Sequence, residues 1–225
     1  MDWMHVLRLI APEEMLSLAG LILLLAAAWG GDKASRAITW AAVVTLATAA
    51  AMEAPVLCSG ASGGATQLFS GQLRVDAFAA FAKLLVYAAS IAALLVAPAF
   101  FERTKAMRAE YPVLILFATL GMGIMVSASD LIALYIGLEM NSLAAYVLAA
   151  FLRTEERSAE AGLKYFVLGA LASGILLFGM SLVYGFAGTT GFDGIRAATA
   201  SGMSIGMVVA VTFVLAGLEI GRAHV

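Results

Sequence analysis

Six stretches of this chain are apolar for close to the length that crosses a bilayer, and no other feature narrows its fold as much. They run over residues 15–29, 37–57, 77–101, 111–128, 131–152 and 162–186; a seventh begins near 203 and reaches 218. A helix that spans the hydrocarbon core needs about 20 such residues. The runs are continuous instead of alternating, which selects helices over a β-barrel, because in lipid a helix satisfies its backbone groups within its own segment. The first run is long for the apolar part of a cleaved signal, and five more follow, so it reads as a retained span. Composition agrees: 63% of the residues are hydrophobic and 12% charged, against about 25% charged in an ordinary soluble domain. The predicted class is an all-α integral membrane protein with six transmembrane helices and the start of a seventh. No soluble domain is expected. The Gly/Ser-rich stretch 58–72 and the stretch 187–194 are expected to be loops.

Lys and Arg in the short connections set the orientation. Lys33 and Arg36 follow the first span, Arg103, Lys105 and Arg108 the third, and Arg153 and Arg157 the fifth. The opposite side carries Arg8, Arg74 and Arg196. Seven against three places the N-terminus outside the cytoplasm. A net charge of -2 gives no reason to expect nucleic acid as a partner. Cys58 is the single cysteine, so there is no intramolecular disulfide and no Cys-rich metal or redox site. The chain contains no HExxH, CxxC, GxSxG, phosphate-loop or dinucleotide pattern, and so no equipment for organic chemistry of its own.

Within this apolar background a few polar residues stand out. Glu139, in "LYIGLEMNSLAAYVL", lies eight residues into the fifth span, or about 12 Å along its axis. A charge near the bilayer centre costs at least about 2.5–3.5 kcal/mol on insertion scales. Two readings account for it: a carboxylate that handles protons or ions, or a structural one bound to a lysine or a backbone group. Lys83 lies six residues into the third span and has two readings: it snorkels to the near interface or packs structurally, or it lines an ion path. Lys164 sits near the cytoplasmic start of the sixth span, with the same two readings, and its depth argues against a direct pair with Glu139. Glu53, just before Pro55, is expected to reach the interface, and Asp130 to cap the fifth helix. His5 has no partner motif and receives no ligand role.

The stretches "DLIALYIGLEMNSLAAYVLAAF" (130–151) and "RSAEAGLKYFVLGALASGILLFGMSLVYG" (157–185) resemble the subunit N family of the proton-pumping NADH:quinone oxidoreductase, respiratory complex I. "LRVDAFAAFAKLLV" (73–86) resembles the third helix of the same family, and the similarity covers roughly residues 9–218. The wording around Glu139 is closer to subunit N than to the other antiporter-like subunits or the sodium/proton antiporter relatives.

The resemblance implies a fourteen-helix membrane-arm subunit with two inverted repeats, of which this chain would be the N-terminal part. It implies that Glu139 is the fifth-helix glutamate of the proton path and that Lys164 matches the sixth-helix lysine, with Lys83 a weaker candidate. It implies no cofactor in this chain, with NADH, FMN, iron-sulfur clusters and quinone held by partner subunits. The expected partners are the other membrane-arm subunits and the lipid bilayer of a bacterial inner membrane. The implied mechanism is electrostatic: quinone reduction elsewhere changes the field along buried acid and base groups, and a proton moves. A cation/proton antiporter subunit and a structural membrane scaffold are the alternatives. The family's seventh-helix lysine has no counterpart here, because the chain reads "LEIGRAHV" after "FVLAG". The resemblance breaks between Leu218 and Glu219, after a span of only some sixteen residues, so 219–225 is expected to be a non-native tail.

Overall fold

The computed structural model describes residues 3–60, 65–104, 107–200 and 202–220. It is built of helices: α1 (Trp3–Gly30), α2 (Ser35–Gly60), α3 (Ala77–Thr104), α4 (Glu110–Ser127), α5 (Leu131–Ala149), α6 (Glu156–Ala187), a short α7 (Phe192–Thr199) and α8 (Ile205–Ile220). Five apolar helical runs are long enough to cross a membrane, and the first of them, Val6–Cys58, holds both α1 and α2. A 3-10 turn over Gly31–Ala34 separates those two helices. Within the described residues, α8 is a shorter apolar helix packed on α6. It runs through Leu218 to Ile220 without a break. Residues 221–225 of the expected foreign tail lie outside the described residues, as do Lys105 of the charge bias and the side chains of Arg103 and His5.

Buried faces repeat at helical spacing. On α2 the series is Ala42, Leu46, Ala49; on α3 it is Tyr87, Ser90, Leu94. Alternate steps of three and four residues keep a side chain on one face. These faces meet Leu16 of α1 and Leu116 and Leu120 of α4 in one cluster. A second cluster joins Leu131 of α5, Leu176, Met180 and Val183 of α6, and Met207 and Ala210 of α8. The opposite faces carry exposed Leu, Val, Phe and Ile side chains, as a lipid-facing surface requires.

The two clusters are joined where α4 meets α5. A Cβ on Gly121 would lie 2.6 Å from the carbonyl oxygen of Gly137, and one on Gly137 would lie 2.7 Å from that of Gly121. Only glycine at both positions lets the backbones approach so closely, the small-residue contact that membrane helices use in place of a hydrophobic drive.

The expected loops hold more structure than their composition announced. Within 58–72, α2 continues to Gly60, and β1 (Thr66–Leu68) pairs antiparallel with β2 (Leu73–Val75), Thr66 opposite Val75. Phe69, Ser70 and Gly71 all take positive φ in the turn between them. Leu68 and Val75 are buried against Val6 of α1, which gives this polar-looking stretch its anchor. Within 187–194, Gly188 closes α6 in the left-handed conformation and α7 begins at Phe192. The hairpin, the α4–α5 turn and the α6–α7 loop are stitched together at one end of the bundle. Ser129 donates its backbone N–H to Gln72 O at 2.9 Å, and Leu131 to Thr190 O at 2.9 Å. Asp130 caps α5 as expected: its Oδ1 accepts from the backbone N–H of Ile132 at 2.7 Å, and its Oδ2 from the Thr190 hydroxyl.

At the other end, Arg108 beyond α3 meets Asp32 of the 3-10 turn at 3.5 Å, and Arg153 beyond α5 meets Glu110 of α4 at 4.0 Å. The connections that carry the excess of Lys and Arg therefore share one face of the bundle. The pairs themselves are exposed and add little stability.

Candidate functional site

Glu139 is half-buried on α5 and accepts a hydrogen bond from Ser173 Oγ on α6. The serine comes into reach because α6 carries small residues, Gly169, Ala172 and Ser173, on its more buried side, and Gly169 packs directly on Tyr146 of α5. A hydroxyl partner leaves the carboxylate free to change its protonation state, because a hydroxyl can donate to the anion or accept from the acid. Beside the pair lies a cavity of about 320 Å³ between α5, α6 and α8, with Met125 of α4 at its edge. Asn141, Ser142, Tyr146, Tyr165 and Ser173 supply its polar lining. The space holds several waters in volume, and the polar groups can anchor them.

Lys164 stands apart from this site. It is exposed on α6 and pairs with Glu160 one turn earlier on the same helix. Eight residues from the start of α6, it sits about 12 Å from that end of the helix. Glu139 is a similar distance from the start of α5, whose first residue lies at the opposite end of the bundle. The two groups make no direct contact: their partners are Ser173 and Glu160.

Glu53 requires a correction, and for Lys83 snorkelling gives way to packing inside the bundle. Neither reaches an interface. Lys83 is 2% exposed and Glu53 1%. Lys83 Nζ donates to Glu53 Oε1 at 2.9 Å and pairs also with Glu13 of α1. One ammonium on α3 thus joins two carboxylates, one from α1 and one from α2. Snorkelling fails for a geometric reason: Lys83 lies on the inner face of α3, one turn before Tyr87, so its stem points into the bundle.

Glu13 was the residue that sequence reading missed. It follows Pro12, whose missing N–H leaves a carbonyl of α1 without its helical donor. The signal available was spacing, since Glu53 continues the buried series Ala42, Leu46, Ala49, and Lys83 begins the series Tyr87, Ser90, Leu94.

The family described as NADH:quinone oxidoreductase/Mrp antiporter, TM, matches residues 128–224, the part that carries Glu139, Ser173 and the cavity. The chain is 63% identical over 219 residues to a protein of Erythrobacter litoralis named NADH-quinone oxidoreductase subunit N, which covers 97% of this chain and 45% of the relative. Among solved structures, it is similar to a chain of respiratory complex I from Thermus thermophilus at a TM-score of 0.72 and 26% identity, over 92% of this chain and 43% of that one. A chain of the Mrp complex from Dietzia shares the fold, with a TM-score of 0.73 at 23% identity over 95% of this chain and 40% of that one. The chain spans just under half the length of the relatives it matches. A shared helical plan, a sequence similarity that runs over nearly all of its residues and an acid-bearing α5 packed on α6 put it, as a segment, in the antiporter-like membrane family of NADH:quinone oxidoreductase, within the subunit N group.

Proposed function

We propose that this chain is part of a proton-translocating membrane subunit of an NADH:quinone oxidoreductase, and that Glu139 is the group on which the moving proton rests. The observation that carries the reading is the Glu139–Ser173 contact beside a polar cavity, inside an apolar bundle. An acid in a membrane helix is costly, and such groups mark ion or proton paths. Glu139 takes up a proton as a carboxylate, and the Ser173 hydroxyl turns from donor to acceptor as it does so. Waters held by Asn141, Ser142 and the tyrosines Tyr146 and Tyr165 deliver or remove that proton. Field changes along the membrane arm, set by quinone chemistry in partner subunits, would bias which state is favoured. Redox cofactors belong to those partners in this reading. Lys164, exposed on α6, contributes to the field at one end of the path and is not a resting place for the proton.

The same reading places the subunit in a bacterial inner membrane, among other membrane-arm subunits, with the N-terminus on the outer side. The charge bias on one face of the bundle supports that orientation. Glu139→Gln tests the function in the full-length parent within its complex. Quinone reduction should continue in part while protons moved per quinone fall several-fold, with assembly intact. Glu139→Asp should be milder, because it keeps the acid. Unchanged proton movement in Glu139→Gln would make Glu139 a structural tie and overturn the proposal. Purification with NADH-oxidising subunits distinguishes this reading from a cation/proton antiporter.

A further inference from the structure

The cluster of Glu13, Glu53 and Lys83 lies outside the Glu139 site, among the first three helices, and its charges do not cancel. Two carboxylates and one ammonium, all ionised, sum to -1. A structural tie between helices needs only one acid for one base. Here there is a second acid, its side chain 16% exposed, and its other oxygen, Glu13 Oε2, is itself buried and has no hydrogen-bond partner among the described residues. A buried polar atom without a partner calls for an explanation. A proton on that oxygen supplies one, since it brings the cluster to neutrality in an interior where an uncompensated charge is expensive.

We propose that Glu13, Glu53 and Lys83 form a second proton-binding site, which holds one exchangeable proton on Glu13. Proton uptake forms one O–H bond on the Glu13 carboxylate and takes the cluster from -1 to neutral; release reverses both. Glu53 stays ionised against Lys83 at 2.9 Å, and the ammonium does not move. The groups facing the cluster from the packed elements fit this role. Glu14, the next acid on α1, is exposed and points away. Tyr87, on the same α3 face one turn past Lys83, is fully buried, and its hydroxyl too has no hydrogen-bond partner among the described residues. Next on that face, Ser90 hydrogen-bonds Thr119 of α4 at 2.6 Å. The face of α3 therefore offers hydroxyls in sequence from the cluster toward α4, the helix that meets α5 glycine to glycine. Toward the outer end, Val6, Ile10, Val56, Leu68 and Val75 close the bundle with apolar side chains. Tyr87 therefore offers the proton a route inward, beside the partly exposed side chain of Glu13. The inference extends proton handling to a second place and rests on that reading for its purpose, but its test does not depend on proton movement.

The test is infrared difference spectroscopy between acid and alkaline pH, on the complex that contains the full-length subunit, in a Glu139→Gln background. A protonated carboxyl gives a C=O stretch that an ionised one lacks, and deuterium oxide shifts it. The proposal sets the proton count by charge balance: one in the parent, none in Glu13→Gln, none in Glu53→Gln, two in Lys83→Met. The carboxyl band should be present in the parent, absent from both Gln variants and about doubled in Lys83→Met. If a variant does not assemble, the band of the assembled parent and the remaining Gln variant still decide the matter. A parent spectrum with no exchangeable carboxyl band lost in either Gln variant would reduce the cluster to a structural tie. Loss of the band in Glu13→Gln together with normal pumping in the Glu139→Gln parent would overturn the function of Glu139 and leave this site standing.

Discussion

Lys83→Met removes the one cation that two buried carboxylates share. At 2.9 Å from Glu53 Oε1 and an effective dielectric of about 20, the lost attraction to Glu53 alone is about 6 kcal/mol. Part of that is offset, because taking the ammonium out of water was itself costly. Breaking a buried pair by truncating one partner typically costs about 3–5 kcal/mol, since the acids left behind must either stay charged without a partner or take up protons at a pH that favours their ionised form. The expected loss of stability for Lys83→Met is therefore about 3–5 kcal/mol. Replacing all three groups, in Glu13→Gln with Glu53→Gln and Lys83→Met, strands no charge and should recover most of it. The assay is reversible unfolding of the purified full-length subunit in mixed micelles, by titration with sodium dodecyl sulfate and far-ultraviolet circular dichroism. A Lys83→Met protein within about 1 kcal/mol of the parent would contradict the burial argument, as would a triple variant no more stable than the single one.

Asp130→Ala should destabilise α5 by about 0.5–2 kcal/mol through loss of its N-cap, and should loosen the α6–α7 loop, which Asp130 holds through Thr190. Hydrogen exchange at Ile132 and at 187–192 reads both effects, and unchanged protection would refute the cap's role. Cys58 is exposed near the end of α2 and is the only thiol. A membrane-impermeant maleimide should label it in intact cells stripped of the outer membrane, and labelling only after permeabilisation would reverse the orientation.

How legible the fold was depended on which physical quantity the sequence encodes. Apolar run length told the type of the long segments, because the bilayer makes a helix the cheapest way to satisfy a buried backbone. The start of α5 was legible at Asp130, whose capping chemistry is local. Less legible were the hairpin at 66–75 and α7, since both hang on contacts with distant residues: Leu68 and Val75 on Val6, and Leu131 on Thr190. A Gly/Ser-rich composition says loop and is silent about such anchors.

The candidate sites divide along the same line. Depth in the membrane follows from position along a helix, so Glu139 was marked out from its place in the run alone. Azimuth does not follow from depth. Whether Lys83 faces lipid or the bundle depends on which way α3 is turned, and that is settled by how Tyr87, Ser90 and Leu94 pack on α1, α2 and α4. Glu53 and Glu13 were hidden for a related reason: Glu13 follows Pro12 and Glu53 comes just before Pro55, and a proline suggests a helix end, where an acid ordinarily finds water, although both helices continue through it. Sequence determined that this chain is a set of membrane helices with an acid in the fifth. Only the packing of three helices, with Glu53 and Lys83 30 residues apart in sequence, decided that two more acids and a lysine would meet inside the bundle.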